Sequence, residues 1–205
     1  MMYYNSNSSQ KSHSNQKIRD GTQRTDIFQA ISTRLEYMTS KFSRVLFFRF
    51  DLRIPQEFPD EIPDNQKLSI FMNSFTAYLN RSGIEHQYLW VREQQSSAHP
   101  HYHLIFLLNG NMTRNPHRHL NRAERLWSNL FNTQNETENR GLLHRCNRRA
   151  DGSPQSNHIR LQRGSAPYLD DIERCLLWAK YLSKENSKGL APRHVHEWGA
   201  SLIRK

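Results

Sequence analysis

The sequence predicts an α+β fold with a single antiparallel sheet. Short runs of β-branched, aromatic and leucine residues alternate with longer segments whose apolar residues recur at the spacing of one helix face. In the middle of the chain the order is strand, helix, strand, strand, helix, strand, which is the β-α-β-β-α-β order of a ferredoxin-like sheet. One further helix is predicted at each end of this unit.

The first half of the chain contains a helix, a strand and a second helix. Residues 26–40 carry apolar side chains at helical spacing, and residues 44–53 form a strand-like run that ends before Pro55. A proline-rich connector leads to Asp64, which we predict to be the N-cap of the next helix. The apolar residues of that helix follow one face: Leu68, Phe71, Met72, Phe75 and Leu79.

The second half begins with two strand segments, residues 86–94 and 102–108, which a short polar loop separates. This pattern predicts an antiparallel hairpin. A helix over residues 116–131 follows, then a polar loop, a short strand over residues 158–163 and a last helix over residues 169–185. The last helix has two apolar sides, so periodicity alone does not decide which side faces the sheet.

Composition separates a tail from the folded domain. Residues 1–24 are rich in Ser, Asn, Gln and Lys with almost no aliphatic side chain, so we predict a disordered tail and a domain over residues 25–205. No signal peptide is recognisable, and no apolar run is long enough to span a bilayer. The 2 cysteines lack a CxxC spacing, which is typical of a reducing compartment. These features predict a soluble, cytoplasmic protein without a membrane partner.

The charge of the chain indicates a nucleic-acid partner. Lys and Arg number 29 against 19 Asp and Glu, which gives a net charge of +10 before histidine contributes. Clustered basic side chains attract phosphate groups without regard to base sequence. Two clusters are predicted to contact DNA, one with Arg114, Arg118 and Arg122, the other with Arg145, Arg148 and Arg149.

A histidine pair predicts a metal site. His101 and His103 are two residues apart in a predicted strand, so their side chains project from the same face. Two imidazoles on one face need only a third ligand to form an open site. Glu93, near the end of the partner strand of the hairpin, is the predicted third ligand. This ligand set suits a divalent ion that keeps positions free for substrate oxygens.

The last helix carries a tyrosine and a lysine on one face. Tyr181 and Lys184 are three residues apart, a spacing that on its own is ordinary for a helix surface. A phenol has a pKa of about 10 and is a weak nucleophile at neutral pH until a cation or a base stabilises the phenolate. A lysine and a nearby divalent ion would both do so. We therefore predict Tyr181 as a nucleophile that Lys184 assists.

The combination of these motifs resembles the HUH endonucleases. The resemblance rests on His101-Tyr102-His103 in a predicted strand and on Tyr181-Leu-Ser-Lys184 in the last predicted helix. Within that superfamily the sequence is similar to the inovirus gene-2-protein type of rolling-circle replication initiator. That similarity rests on residues 45–52, on residues 90–93 with 100–104, and on residues 198–201.

The resemblance implies an HUH-type architecture and a metal-dependent chemistry. His101, His103 and Glu93 would hold Mg²⁺ or Mn²⁺, and Tyr181 would attack a phosphodiester of single-stranded DNA. The products would be a 5′-phosphotyrosine and a free 3′-hydroxyl, with Lys184 stabilising the charge. An initiator of this kind, encoded by a phage or other mobile element, would work with a host polymerase and a separate helicase, since the sequence has no GxxxxGK[ST] motif.

Two other interpretations remain open. The string His99-Pro-His-Tyr-His-Leu-Ile105 also fits the pattern of histidine-triad nucleotide hydrolases and transferases, apart from its proline. In that family a histidine, and not a tyrosine, forms the covalent intermediate. A ferredoxin-like sheet can also bind single strands without catalysis, by stacking bases on aromatic side chains. The candidates for stacking are Phe48, Phe50, Tyr88 and Trp90.

Overall fold

Four helices and six strands form within the described part of the chain, which in this computed structural model comprises residues 24–56, 58, 64–94, 99–131, 141–184 and 191–203. Residues 1–23 of the predicted tail and the predicted hairpin loop at residues 95–98 lie outside it. The elements are α1 (Thr25–Lys41), β1 (Arg44–Leu52), α2 (Gln66–Arg81), β2 (His86–Glu93), β3 (His101–Asn109), α3 (His117–Ser128), β4 (Leu143–His144), β5 (His158–Gln162), α4 (Tyr168–Leu182) and β6 (Trp198–Ala200).

The six strands form one open antiparallel sheet in the order β4-β1-β3-β2-β6, with β5 also paired to β1. β5 pairs with the first half of β1, and β4 pairs with Asp51 and Leu52 at its end. Because β3 occupies the other edge of β1, the two short strands follow one another along the same edge. The α+β class and the antiparallel sheet that the sequence predicts are confirmed.

Alternation along the strands divides the core into two halves, one on each face of the sheet. Leu46, Phe48 and Phe50 of β1 pack against α2 and α3. Val45 and Phe47 pack on the opposite face, against α1 and α4. The two helices within the β-α-β-β-α-β order, α2 and α3, therefore cover one face, and the terminal helices α1 and α4 cover the other, so that β1 and β3 are buried on both sides.

The predicted elements are present with ends that differ by at most three residues. The predicted N-cap of α2 is wrong by one residue, because Asn65 precedes the helix and Asp64 Oδ1 accepts a hydrogen bond from the Gln66 N–H at 3.0 Å. The sequence does not predict β4 and β6, because strands of two and three residues are too short to show an alternating pattern. None of the described helices combines the length and the apolar character needed to cross a bilayer.

The last described segment ties α1 to the sheet. β6 pairs with β2, and Trp198 Nε1 donates a hydrogen bond to Asp26 of α1 at 3.1 Å. Gly199 lies opposite Trp90, where a Cβ atom would come within 2.7 Å of the indole ring. This close approach requires glycine, since any larger residue would displace the ring.

A buried histidine links α2 to α3 and makes the stability of this layer depend on pH. His119 is 0% exposed, with its ring nitrogens 3.2 Å from the Tyr78 hydroxyl and 3.0 Å from the Thr113 hydroxyl. Burial, followed by the positive charge of Arg118, lowers the pKa of His119 from 6.5 to about 4.

We predict that acidification from pH 6.5 to pH 4 removes stability through His119, because the unfolded chain then binds a proton that the folded protein excludes. The contribution is on the order of 3 kcal/mol. Urea unfolding of wild type and His119→Gln across this range tests it, and the variant should show a shallower loss of stability. The exposed His117→Gln serves as control. Equal pH slopes in wild type and His119→Gln would contradict the prediction.

Candidate active site

A cavity of about 430 Å³ opens on the α1/α4 face of the sheet, where β1 ends. Along β1, Arg49 and Asp51 continue the series of Val45 and Phe47 on that face, so two charged side chains follow two buried apolar ones. The neighbouring strands, the loop after β4 and the last turns of α4 complete the walls. The lining residues whose side chains could bind a ligand or take part in a reaction are Arg49, Asp51, His103, His144, Cys146, Arg148, Arg149, Trp178 and Tyr181.

A row of polar side chains crosses the sheet at this level. The strand register places Asp51 directly beside His103 on β3 and beside His144 on β4. Asp51 Oδ1 lies 2.7 Å from His103 Nδ1, and Asp51 Oδ2 lies 3.2 Å from His144 Nδ1. The second nitrogen of His103, Nε2, lies 3.1 Å from Glu93 Oε2. One carboxylate therefore orients two imidazoles, and one imidazole connects two carboxylates.

Hydrogen bonds outweigh burial in setting the charges of this row. Burial would lower the pKa of His103, but the hydrogen bonds to Asp51 and Glu93 raise it to about 9. Burial would likewise raise the pKa of Asp51, and the hydrogen bonds from His103 and His144 instead hold it well below its usual range. The row thus contains charged partners that stabilise one another.

The predicted metal ligands lie on this face of the sheet. Glu93 and His101 are directly opposite one another in the β2–β3 ladder, and His103 follows two residues along β3. Burial, and then the nearby Arg53 and His103, lower the pKa of His101, which favours the neutral imidazole that metals bind. The structure therefore brings His101, His103 and Glu93 together at one end of the hairpin.

Tyr181 lies at the side of the buried stripe of α4, where the helix borders the cavity. The buried residues of this helix are Cys175, Ala179 and Leu182, while Tyr181 is 52% exposed and borders the cavity. Burial and then the carboxylates of Glu93 and Asp51 raise the pKa of Tyr181. The predicted catalytic pair is adjacent, since Lys184 Nζ lies 5.2 Å from the centre of the Tyr181 ring.

The six predicted DNA-binding arginines occupy three different environments. Arg148 and Arg149 line the cavity. The Arg145 guanidinium forms an ion pair with Glu124 Oε2 of α3 at 2.6 Å and donates a hydrogen bond to Asn121 Oδ1. The other three lie in α3 or in the loop before it, on the face of the sheet opposite the cavity: Arg114, Arg118 and Arg122. The structure brings only the second cluster to the cavity, and only in part.

The sequence also contained site residues that periodicity did not single out. Arg49 and Asp51 are polar residues at alternate positions of an otherwise apolar strand, which is a signal for a shared face. The Arg49 guanidinium lies 4.5 Å from the centre of the Trp178 ring, a cation–π contact that joins β1 to α4. His144 and Cys146 follow a long polar segment, and no local pattern places them beside Asp51.

Asp51, His144 and Cys146 form a group that could hold a metal ion, with one ligand atom of each lying within 4.8 Å of the others. Cys146 Sγ is 3.7 Å from His144 Nδ1. Among the described non-glycine residues, Cys146 alone has a positive φ, at 50°. This left-handed conformation costs on the order of 1 kcal/mol.

Residues 5–201 of the chain match the model of one protein family, the YagK/YfjJ C-terminal domain. The chain belongs to this family. The match spans every site residue described above. No curated protein and no solved structure matches the chain. The description of the YagK/YfjJ family names no activity.

We predict that Asp51 controls the protonation of His103. In Asp51→Asn with a chelator present, the pKa of His103 should fall from about 9 by at least about one unit, because one carboxylate then opposes burial in place of two. NMR titration of the imidazole measures the pKa. The matched control is Asp170→Asn, which alters an exposed carboxylate in the first turn of α4. An unchanged pKa in Asp51→Asn would contradict the assigned role.

Proposed function

We propose that this YagK/YfjJ-family domain is a metal-dependent endonuclease and strand transferase for single-stranded DNA, of the HUH type and on a ferredoxin-like sheet. The observation that carries the proposal is that Tyr181 of α4 and His103 of β3 line one cavity, with Glu93 3.1 Å from the histidine. A nucleophile and one proposed cation ligand thus border the same space, and a second proposed ligand contacts the first. The order β5-β1-β3-β2 of the central strands supports the same fold.

The proposed ligands fit a hard divalent ion. In octahedral Mg²⁺ or Mn²⁺ sites, bonds of about 2.1 Å place adjacent ligand atoms about 3.0 Å apart. His103 Nε2 and Glu93 Oε2 are 3.1 Å apart, and His101 is paired with Glu93 across the strands. Mg²⁺ or Mn²⁺ held by these three residues would polarise the phosphodiester and stabilise its developing charge. Asp51 would hold His103 by its other nitrogen and so fix the ring.

The chain's own residues supply the remaining chemistry. Tyr181 Oη forms a bond to phosphorus, the bond from phosphorus to the 3′-oxygen breaks, and the 3′-oxygen leaves as a hydroxyl after taking up a proton. The phenol proton passes to solvent. Lys184, beside the ring, offsets the negative charge of the phenolate. Because the phosphotyrosine keeps the energy of the phosphodiester, a 3′-hydroxyl can reverse the step and rejoin the strand.

The cavity walls also suit the backbone of a single strand. Arg148 and Arg149 present positive charge beside Tyr181, where the phosphates flanking the cleaved bond would lie. The proposed setting is a rolling-circle replication initiator of a phage or other mobile element that acts in the cytoplasm. The 3′-hydroxyl it frees would prime a host polymerase, and a separate helicase would open the duplex.

The two alternatives receive less support. Phe48 and Phe50 are 0% exposed beneath α2 and α3, so neither ring is available to stack on a base. Tyr88 and Trp90 are half-buried against the same core. His99, the first residue of the histidine-triad pattern, is 5% exposed and lies before β3 begins, which separates it from the strand pair His101 and His103.

We predict that Tyr181→Phe abolishes a covalent protein–DNA adduct. Wild type with Mn²⁺ and labelled single-stranded DNA from the protein's own genetic element should yield a product that survives SDS. Tyr181→Phe should yield less than about 1% of it, because the variant lacks the attacking oxygen. Tyr168→Phe, at the other end of α4, is the matched control and should retain the adduct.

The same gel separates the alternatives. An adduct that persists in Tyr181→Phe but is lost in His101→Ala would identify histidine-triad chemistry and overturn the proposal. Binding without an adduct under Mg²⁺ and Mn²⁺ would indicate a binding module and would equally overturn it.

We predict that the arginines of the cavity dominate DNA affinity. Arg148→Ala/Arg149→Ala should weaken binding of single-stranded DNA about tenfold and reduce the slope of log affinity against log salt by about 1.4, since each of the two lost phosphate contacts contributes about 0.7. Arg118→Ala/Arg125→Ala removes equal charge from exposed positions of α3 and should change both quantities much less. Fluorescence anisotropy at several salt concentrations measures both. Equal effects of the two double variants would show that net charge, not the cavity, governs affinity.

A further inference from the structure

We propose that Asp51, His144 and Cys146 form a second cation site, which selects a thiophilic divalent ion such as Zn²⁺ and restrains the nicking site through the shared Asp51. The selectivity follows from the ligands of this chain alone. The restraint rests on the proposed function and is tested separately below. The site uses the edge of the cavity that β4 and the residues after it provide.

The distances in this group match the edges of a tetrahedron around zinc. For bonds of about 2.0 Å to nitrogen or oxygen and about 2.3 Å to sulfur, ligand atoms lie about 3.3 Å apart for an N–O pair and about 3.5 Å apart for an N–S pair. The corresponding distances are 3.2 Å between His144 Nδ1 and Asp51 Oδ2, and 3.7 Å between His144 Nδ1 and Cys146 Sγ. The remaining edge, from Asp51 to Cys146, is within 4.8 Å. A small rotation of side chains would close the site.

The thiolate distinguishes this group from the neighbouring site, whose proposed ligands contain no sulfur. A soft sulfur ligand suits zinc and related ions and is a poor ligand for Mg²⁺. Zinc binding would displace the thiol proton of Cys146 to solvent. The side chain of His144 is 39% exposed, so an ion and a water molecule as fourth ligand have access from the cavity.

The backbone at Cys146 is a second, independent observation. A non-glycine residue at φ 50° is held in a conformation that side chains disfavour. Strained backbone of this kind persists where the surrounding structure fixes it, and it is concentrated at functional sites. The thiol of this residue lies 3.7 Å from His144 Nδ1 and within 4.8 Å of a carboxylate oxygen of Asp51, and these are the other two ligands of the proposed site.

The two sites are coupled because Asp51 belongs to both. Its Oδ1 holds His103, and its Oδ2 would bind zinc. Zinc would withdraw electron density from the carboxylate that orients His103 and would place a second positive charge near the nicking site. Each ion therefore lowers the affinity of the other, and the coupling is reciprocal.

Cobalt provides a direct test of the site that does not depend on nicking. Co²⁺ bound to a thiolate gives a sulfur-to-metal charge-transfer band in the near ultraviolet. The full chain titrated with Co²⁺ should show this band, and Zn²⁺ should bleach it. The chain has 2 cysteines, so Cys175→Ser, which alters a buried position of α4, is the matched control and should keep the band while Cys146→Ser loses it.

Two results would overturn the site. One is the absence of a band in wild type, and the other is a band that persists in Cys146→Ser. His144→Asn is a second test of the site that does not depend on whether Cys146→Ser folds. This variant keeps the thiol and changes a partly exposed side chain. It should weaken Co²⁺ binding by about tenfold or more. An unchanged cobalt affinity in folded His144→Asn would also overturn the site.

The restraint is tested by adding Zn²⁺ to nicking reactions in Mn²⁺, with each variant compared with its own zinc-free rate. Zinc should inhibit wild type over the range that bleaches the cobalt band, and Cys146→Ser should require about tenfold more zinc. Equal inhibition of the two would show that zinc acts by replacing Mn²⁺ at His103, which overturns the restraint. A cobalt band without nicking under any condition would refute the proposed function and the restraint, and leave the cation site standing.

Discussion

A carboxylate shared by two histidines organises the candidate site. Asp51 lies at the end of the central strand β1, where the register of the sheet sets His103 on one side and His144 on the other. Removing a carboxylate from water is costly unless charged or hydrogen-bonding groups replace the solvent. Both oxygens of Asp51 have such partners, and His103 extends the chain of contacts to Glu93. Side chains from four strands are thus oriented through one acidic group.

The position of Tyr181 depends on how α4 packs against the sheet. Cys175, Ala179 and Leu182 bury one stripe of α4 against the sheet, so Tyr181 comes to the flank of the helix, one turn from Trp178. The last turn of α4 is held in place by α1, because the Arg24 N–H donates a hydrogen bond to the Ser183 carbonyl at 2.7 Å. The terminal helices therefore place the proposed nucleophile, although neither belongs to the central β-α-β-β-α-β unit.

The order of elements and the histidine strand were predictable because both rest on local periods. Helix stripes such as that of α2, and the spacing of His101 and His103, are properties of neighbouring residues. The partnership of Asp51 with His144 was not predictable, since it arises from the pairing of a two-residue strand with β1 across a long separation in sequence. The same is true of the face of α4 that meets the sheet, because both of its sides are apolar enough to be buried.

Charge near Tyr181 gives the site an order of events. Burial, followed by the carboxylates of Glu93 and Asp51, raises the pKa of Tyr181, and Arg49 opposes this shift only in part. A phenol is already protonated at neutral pH, and a raised pKa increases the positive charge needed to stabilise its phenolate. In the proposed function that charge comes with the divalent ion, which would neutralise the same carboxylates that restrain the phenol. In the proposed function, activation of the nucleophile is then tied to assembly of the metal site, because Glu93, the carboxylate that would bind the cation, also contributes to the raised pKa of Tyr181.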